Sequence, residues 1–236
     1  MAKLYQKYNQ NTGKRLCALA GVLLCCFLFL GSGLLLMIRP KLWFLMPITG
    51  ILCLVCGIKC YHLAASLHSG LQGEKRVATL LQQNLPRSYR VVANPILYLF
   101  GQTVELDAVV IGANGVQLVE TKNYAGTLNG TKTDPFWTQT RLLKGGKPLT
   151  KQVKNPLLQS GRQVRLVAQW LSPITACRVQ GYVFFVNNFV QIPFADARIF
   201  TDETALLRTL QLPQKVALDT KTIKRLTRAF RCGMLR

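Results

Sequence analysis

Acidic residues are scarce in this chain: nine Asp and Glu stand against 30 Lys and Arg, for a net charge of +21 over 236 residues. So large an excess excludes a polycationic partner and points to a polyanion, either nucleic acid or anionic lipid. Histidine is scarcer still. His62 and His68 are the only two and lie six residues apart in one connector, which removes Ser-His-Asp, Cys-His and histidine-rich metal schemes together. Cysteine is present without a framework. Six of the eight (Cys17, Cys25, Cys26, Cys53, Cys56, Cys60) sit in or beside hydrophobic segments, and only Cys177 and Cys232 fall elsewhere. Cys53, Cys56 and Cys60 can share one helix face, but one helix supplies too few convergent ligands for a closed zinc site. They read as small apolar residues in a reducing compartment. A phosphate loop is missing too: Gly145-Gly146-Lys147 is followed by Pro148 where Ser or Thr is required, so it reads as a hairpin turn.

Charge is also absent from two long stretches. Residues 1–15 are polar and basic; Leu16 to Ile38 is then an uncharged run of 23 residues, enough to span a bilayer core of about 30 Å as a helix. It exceeds the apolar core of a signal peptide, and no small-residue cleavage site follows it. Arg39-Pro40-Lys41 makes a polar turn before a second run, Leu42 to Ile58, of 17 residues. That is near the lower limit for spanning, and Lys59 can snorkel to let the helix continue through Leu67. A transmembrane hairpin over 16–67 is expected. Four basic residues precede it, two lie in its turn, and Lys59, Lys75 and Arg76 follow, so both termini and the remaining chain are expected on the cytoplasmic side of a cell membrane.

All nine acids lie beyond residue 73, in a stretch that carries 23 of the basic residues and a net charge of +14. Four of them, Glu74, Glu105, Asp107 and Glu120, fall in or near Glu105 to Lys122. That segment reads as two Val- and Ile-rich strands around Asn114-Gly115, a strong hairpin signal. Alternation puts Glu105, Asp107, Val109 and Ile111 on one face, and Val116, Leu118, Glu120 and Lys122 on one face of the second strand. A two-residue Asn114-Gly115 loop sets Asp107 opposite Lys122; a loop from Gly112 to Gly115 sets Asp107 opposite Glu120. Either register gathers Asp107, Glu120 and Lys122 on one side of the sheet, with facing or diagonal Cβ atoms roughly 4.5–8 Å apart. Two carboxylates can hold a hard cation such as Mg²⁺, and an ammonium beside them can steady a metal-bound water or the charge growing on a phosphate. The plain alternative is a surface hairpin with an exposed salt bridge.

Around the hairpin, Gly73 to Leu85 reads as an amphipathic helix with Glu74 on the stripe of Val77, Leu81 and Leu85. Glu74 either belongs to the site or complements the helix dipole from the first turn. Tyr89 to Phe100 is a strand interrupted at Pro95. Asn123 to Lys154 is loop and short-strand material around Trp137, and its Lys144, Lys147, Lys151 and Lys154 make a candidate basic arm for a phosphate backbone. Asn155-Pro156 opens a helix as N-cap and first-turn proline. Its buried stripe is flanked by Gln159 and Gln163, one turn apart. Val179 to Val186 is apolar enough for a central strand covered on both faces. Arg198 to Phe200 is a short strand and Asp202 to Leu210 a helix. Lys221 to Arg231 is a basic amphipathic helix able to pack on the domain, lie on lipid or touch nucleic acid.

This order of helix, strand, hairpin, helix and strand is that of the PD-(D/E)xK nuclease core. More closely, the chain resembles the NERD (nuclease-related) domain. The likeness is carried by Gly73-Glu74, Glu105-Leu106-Asp107, Gly115-Val116 leading to Glu120-Thr121-Lys122-Asn123, Gly126, Trp137 and Asn155-Pro156-Leu157-Leu158-Gln159. It covers roughly Gly73 to Leu171. The resemblance implies an α/β chain: a two-helix membrane hairpin, then a restriction-endonuclease-like αβββαβ domain with a mixed central sheet over 73–212, and a basic C-terminal helix over 213–236. It further implies Mg²⁺ or Mn²⁺ on Asp107 and Glu120, a water- or charge-stabilising Lys122, and assistance from Glu74 and Gln159. A Pro-Asp dipeptide, which the superfamily's name records, is absent. Three functions compete: a membrane-anchored nuclease, a catalytically silent module tethering nucleic acid to the bilayer, and an interaction protein whose basic surface serves anionic lipid.

Overall fold

The computed structural model describes residues 1–6, 9–38, 41, 45–143, 145–192, 194–213 and 217–232. The expected turn residues Arg39 and Pro40, the start of the second apolar run at 42–44, and Lys144 of the basic arm lie outside them. The chain forms two compact units, Tyr8–Gln72 and Met1–Lys7 with Gly73–Arg236.

The first unit holds helix α1 (Gln10–Ile38) and most of helix α2 (Leu45–Asn84). Both contain windows long and apolar enough to cross a membrane. Their large side chains face outward: Phe27 is 72% exposed and Ile51 65%. A soluble monomer does not leave an apolar surface of this extent in water. By length and composition both helices could cross a membrane.

The second unit is built on a six-stranded mixed sheet. Its strands are β1 (Lys3–Gln6), β2 (Arg90–Ala93), β5 (Ala108–Gly112), β6 (Gly115–Lys122), β10 (Val179–Phe185) and β12 (Ile199–Phe200), in that spatial order. The β2–β5–β6 part is antiparallel; β1 joins β2, β10 joins β6 and β12 joins β10 in parallel. Strand β10 is thus an interior strand flanked by parallel neighbours, in keeping with its largely apolar sequence. A ribbon of β3 (Ile96–Leu99) and β4 (Gln102–Glu105) is inserted before β5. A second sheet follows β6, with β7 (Gly126–Asn129), β8 (Phe136–Leu142) and β9 (Pro148–Lys154) joined by β11 (Val190–Gln191).

Helices cover both faces of the large sheet. Val77, Leu81 and Leu85 of α2 and Leu206 and Leu210 of α4 (Glu203–Leu210) pack with Ala108, Val110 and Val119. On the other face, Val167 and Leu171 of α3 (Pro156–Leu171) and Ile223, Leu226 and Phe230 of α5 (Thr220–Cys232) pack with Val109, Ile111, Val116 and Leu118. The alternation of these strand residues between the two cores follows directly from the twofold period of a strand.

Three expectations need correction. Residues 1–15 are not merely a basic leader, since Lys3–Gln6 is an edge strand in register with Arg90–Ala93. The stretch from Tyr89 to Phe100 is two strands in different sheets, turned apart at Asn94, whose φ is +54°. Glu74 has no helix N-terminus to complement, because α2 runs without interruption from Leu45. The dipole explanation for that acid is thereby removed. The C-terminal helix takes the first of its three expected placements and packs on the domain, with Phe230 fully buried.

Candidate active site

The hairpin takes the second of the two registers. Ile111 faces Val116 and Gly112 faces Gly115, which carries Asp107 opposite Glu120 at the open end. The turn is Ala113-Asn114, one residue earlier than Asn114-Gly115. Asn114 is drawn into the domain, donating from Nδ2 to the carbonyls of Leu210 at 2.7 Å and Leu212 at 3.0 Å. Gly115 then carries the positive φ of +105°, and a Cβ there would stand 2.5 Å from the Arg178 carbonyl oxygen. Only glycine fits that position.

Glu120 is 3% exposed and makes three hydrogen bonds that compensate its burial. Its Oε1 accepts from Lys122 Nζ at 2.7 Å and from Gln159 Nε2 at 2.6 Å; its Oε2 accepts from Gln163 Nε2 at 2.9 Å. Lys122 Nζ also donates to Gln159 Oε1 at 3.1 Å. The two glutamines reach one carboxylate because they stand four residues apart on α3. That helix is fixed at its start by Asn155. Its Oδ1 accepts from Leu157 N at 2.9 Å, and its Nδ2 donates to the Asp134 carbonyl at 2.7 Å.

Asp107 is half-buried at the mouth of β5, and its Oδ2 accepts from Thr121 N at 2.7 Å. Burial pushes its carboxyl well above the usual carboxylate range, reinforced by the charges of Glu120 and Glu74 and opposed by Lys122 and the Thr121 N–H. Burial works against the charge on Lys122, but Glu120, Tyr124 and Asp107 outweigh it and raise its pKa. Glu74 approaches from α2. Asn94, turned so that both ends of its amide are satisfied, donates to Glu74 Oε2 at 3.1 Å and to the Asp107 carbonyl at 3.2 Å.

Asp107, Glu120, Lys122, Glu74 and Gln159 are thus brought together. Gln163 belongs with them and went unassigned from the sequence, although its spacing from Gln159 was visible. The side chain of Glu105 remains exposed on β4, and only its carbonyl takes part, accepting from Gln163 at 3.1 Å. The basic arm is divided. Lys154 lines a groove of about 530 Å³ with Gln159, Gln163, Arg162 and Phe136. Lys151 lies 6.0 Å from the Tyr124 ring centroid, and Lys147 stands in the β8–β9 turn. Strand alternation turns Lys151 and Lys154 to opposite faces.

The charges of Asp107 and Glu120 act on the Lys122 ammonium, and that of Glu74 acts on Asp107; carboxylate oxygens are the donors a hard divalent cation takes. Among the described residues no group of three or more His, Cys, Asp or Glu side chains is placed to hold a metal ion. Mg²⁺ needs no such group, since it binds through one or two carboxylates and keeps several waters. Asp107 and Glu120 are the two carboxylates that could meet that requirement, although both Glu120 oxygens already accept from side chains.

A mixed sheet with an acidic-basic cluster at the open end of its central hairpin, covered by helices on both faces, is the architecture of a nuclease-like domain. The chain belongs to the NERD, or nuclease-related domain, family, which matches residues 69–186. It is also 35% identical over 103 residues to an uncharacterised protein of Bacillus anthracis, a stretch covering 43% of this chain and 46% of that protein. The matched stretch therefore covers about half the length of that relative. No solved structure matches the chain.

Proposed function

We propose that this protein is a membrane-anchored, divalent-metal-dependent hydrolase of DNA or RNA phosphodiester bonds, acting on the cytoplasmic face. The observation that carries this reading is the convergence of Asp107, Glu120 and Lys122, with Gln159 and Gln163 holding the buried carboxylate. Asp107 and Glu120 are the assigned ligands of Mg²⁺ or Mn²⁺. When bound, such an ion supplies a Lewis acid and lowers the pKa of its water. Lys122, bonded to Glu120 and Gln159, would supply the positive charge that steadies an attacking water or the charge growing on the phosphate. Gln159 orients both Lys122 and Glu120, and Glu74 adds a carboxylate from the opposite face of the sheet. In the adjoining groove, Lys154 and Arg162 offer cations to phosphates, and Phe136, 52% exposed, offers a ring to a base.

Membrane anchoring is supported by the outward apolar faces of α1 and α2 and by the chain path. Met1–Lys7 and Gly73–Arg236 belong to one folded unit, so the intervening chain must cross a bilayer an even number of times. Two helices long enough to span satisfy that condition. The basic flanks favour the cytoplasm as the common side.

Cleavage of labelled DNA and RNA by the purified full chain, with and without Mg²⁺ or Mn²⁺, tests the proposal. Activity lost in Asp107→Asn and Lys122→Met supports it; undiminished activity in both rejects the assigned site. One observation favours a silent binding module instead: both oxygens of Glu120 are already engaged by side-chain donors. That reading predicts steeply salt-dependent nucleic-acid binding with no turnover under any metal.

A further inference from the structure

Helix α5 has a second face that the nuclease site does not use. Ile223, Leu226 and Phe230 pack inward, and Trp170 meets Phe230 edge-on at 5.1 Å. The neighbouring stripe, Lys224, Thr227, Arg228 and Arg231, follows the i, i+3, i+4, i+7 spacing and lines a pocket of about 270 Å³. Lys3 and Tyr5 of β1 and Arg90 of β2 complete it. Five cations therefore surround this pocket, and no acid lines it. Among the described residues, none of the five is ion-paired with a carboxylate.

Three of the five cations have near neighbours within the domain. Arg90 Nη1 donates to the carbonyls of Arg87 at 2.6 Å and Tyr89 at 2.9 Å, which holds its guanidinium in place. The Arg231 guanidinium lies 4.5 Å from the Tyr5 ring centroid, and Lys3 Nζ lies 5.4 Å from it. Lys3 is the register partner of Arg90 across the parallel β1–β2 ladder, so two cations stand side by side on neighbouring strands. The volume falls below the roughly 300–1,000 Å³ of pockets that enclose whole ligands, and suits a phosphate-bearing headgroup.

Position decides which anion. Arg90 pairs with Ile111 at the turn end of the central hairpin, whereas Asp107 and Glu120 lie at the opposite end of the same strands. A substrate in the active-site groove is not directed here. Tyr5, however, stands five residues before Gln10, the first residue of α1. That length of chain reaches at most about 18 Å. We propose that this pocket binds the phosphate headgroup of an anionic phospholipid in the cytoplasmic leaflet. The inference rests on reading α1 and α2 as membrane spans.

The test uses the full chain in neutral detergent micelles, titrated with short-chain phosphatidylglycerol, phosphatidylcholine of the same chain length, inorganic phosphate or a single-stranded oligonucleotide. Hydrogen–deuterium exchange of residues 1–6 and 220–232 is the readout. Phosphatidylglycerol is expected to protect both segments and phosphatidylcholine neither. Each pocket cation contributes about fivefold to headgroup affinity. The triple variant Lys224→Gln, Arg228→Gln, Arg231→Gln should therefore raise the half-saturating lipid concentration about a hundredfold. A charge-matched variant at Arg165, Lys221 and Arg225, outside the pocket, should shift it far less. Equal protection by both lipids, protection by phosphate alone at the same concentration, or protection only by the oligonucleotide overturns the assignment. Vesicle flotation in alkaline carbonate scores the spans separately. A chain that floats without a headgroup effect overturns this inference alone, and one that does not float overturns both readings.

Discussion

Replacing Lys122 by Met removes the one ammonium that, among the described residues, is bonded to the 3% exposed Glu120 carboxylate. The Nζ–Oε1 separation of 2.7 Å corresponds to a gross attraction of about 6 kcal/mol at an effective dielectric of 20, largely offset by desolvation of both ions. Breaking a buried pair by removing one partner typically costs about 3–5 kcal/mol. The lower end applies here, because Gln159 and Gln163 keep donating to Glu120 and the Lys122 side chain is 16% exposed. About 3 kcal/mol in a domain of this size lowers Tm by roughly 6–12 °C. Near-ultraviolet circular dichroism of the full chain on heating reports it, because fully buried Trp137 sits in the same domain. The pH dependence has a definite sign. With its folded-state pKa raised, Lys122 contributes stability that is fully present below about pH 10.4 and is lost as pH rises through the folded value. The variant should lack that alkaline loss. An unchanged Tm together with an unchanged alkaline limb would refute the buried-pair argument.

Asp107→Asn should behave oppositely. Because burial and like charge raise the folded-state pKa, this carboxylate costs stability as pH rises above its unfolded value, and the full cost is present above the folded one. At neutral pH the variant should melt higher than the wild type while losing cleavage; a lower Tm contradicts the assigned electrostatics. Gln163→Leu leaves Glu120 Oε2 without its donor and should cost about 1–3 kcal/mol, read as a fall in Tm alongside reduced turnover. Gly115→Ala meets backbone at a positive φ and should destabilise by about 1–3 kcal/mol; wild-type melting would show that the turn relaxes freely. Saturating Mg²⁺ at a hundred times its Kd should stabilise the wild type by about 2.7 kcal/mol and leave Asp107→Asn unmoved in calorimetry.

Much of the site was legible in the sequence because local signals fixed it. Alternation placed Asp107, Glu120 and Lys122 on one side of the sheet in either register, and Asn155-Pro156 announced the helix that brings Gln159. The register itself was not decided locally. The turn shifted by one residue because Asn114 bonds to carbonyls almost a hundred positions away, which no pattern within the hairpin records. Strand β1 was invisible for the same reason: Lys-Leu-Tyr-Gln is too short to show a period, and its partner lies beyond both apolar helices. Of the two readings of Glu74, the dipole one fell because the helix was expected to start at Gly73, where α2 continues unbroken. A practical consequence follows from β1. A fragment beginning at residue 73 lacks one edge of the sheet, so activity belongs to measurements on the full chain.

Metal titration of that full chain against labelled single- and double-stranded DNA and RNA addresses the central claim most directly. Cleavage that appears with Mg²⁺ or Mn²⁺, disappears with chelator, and is absent from Asp107→Asn, Glu120→Gln and Lys122→Met is the expected result. Nucleic acid bound but left intact at every metal concentration, or cleaved equally by the three variants, contradicts it.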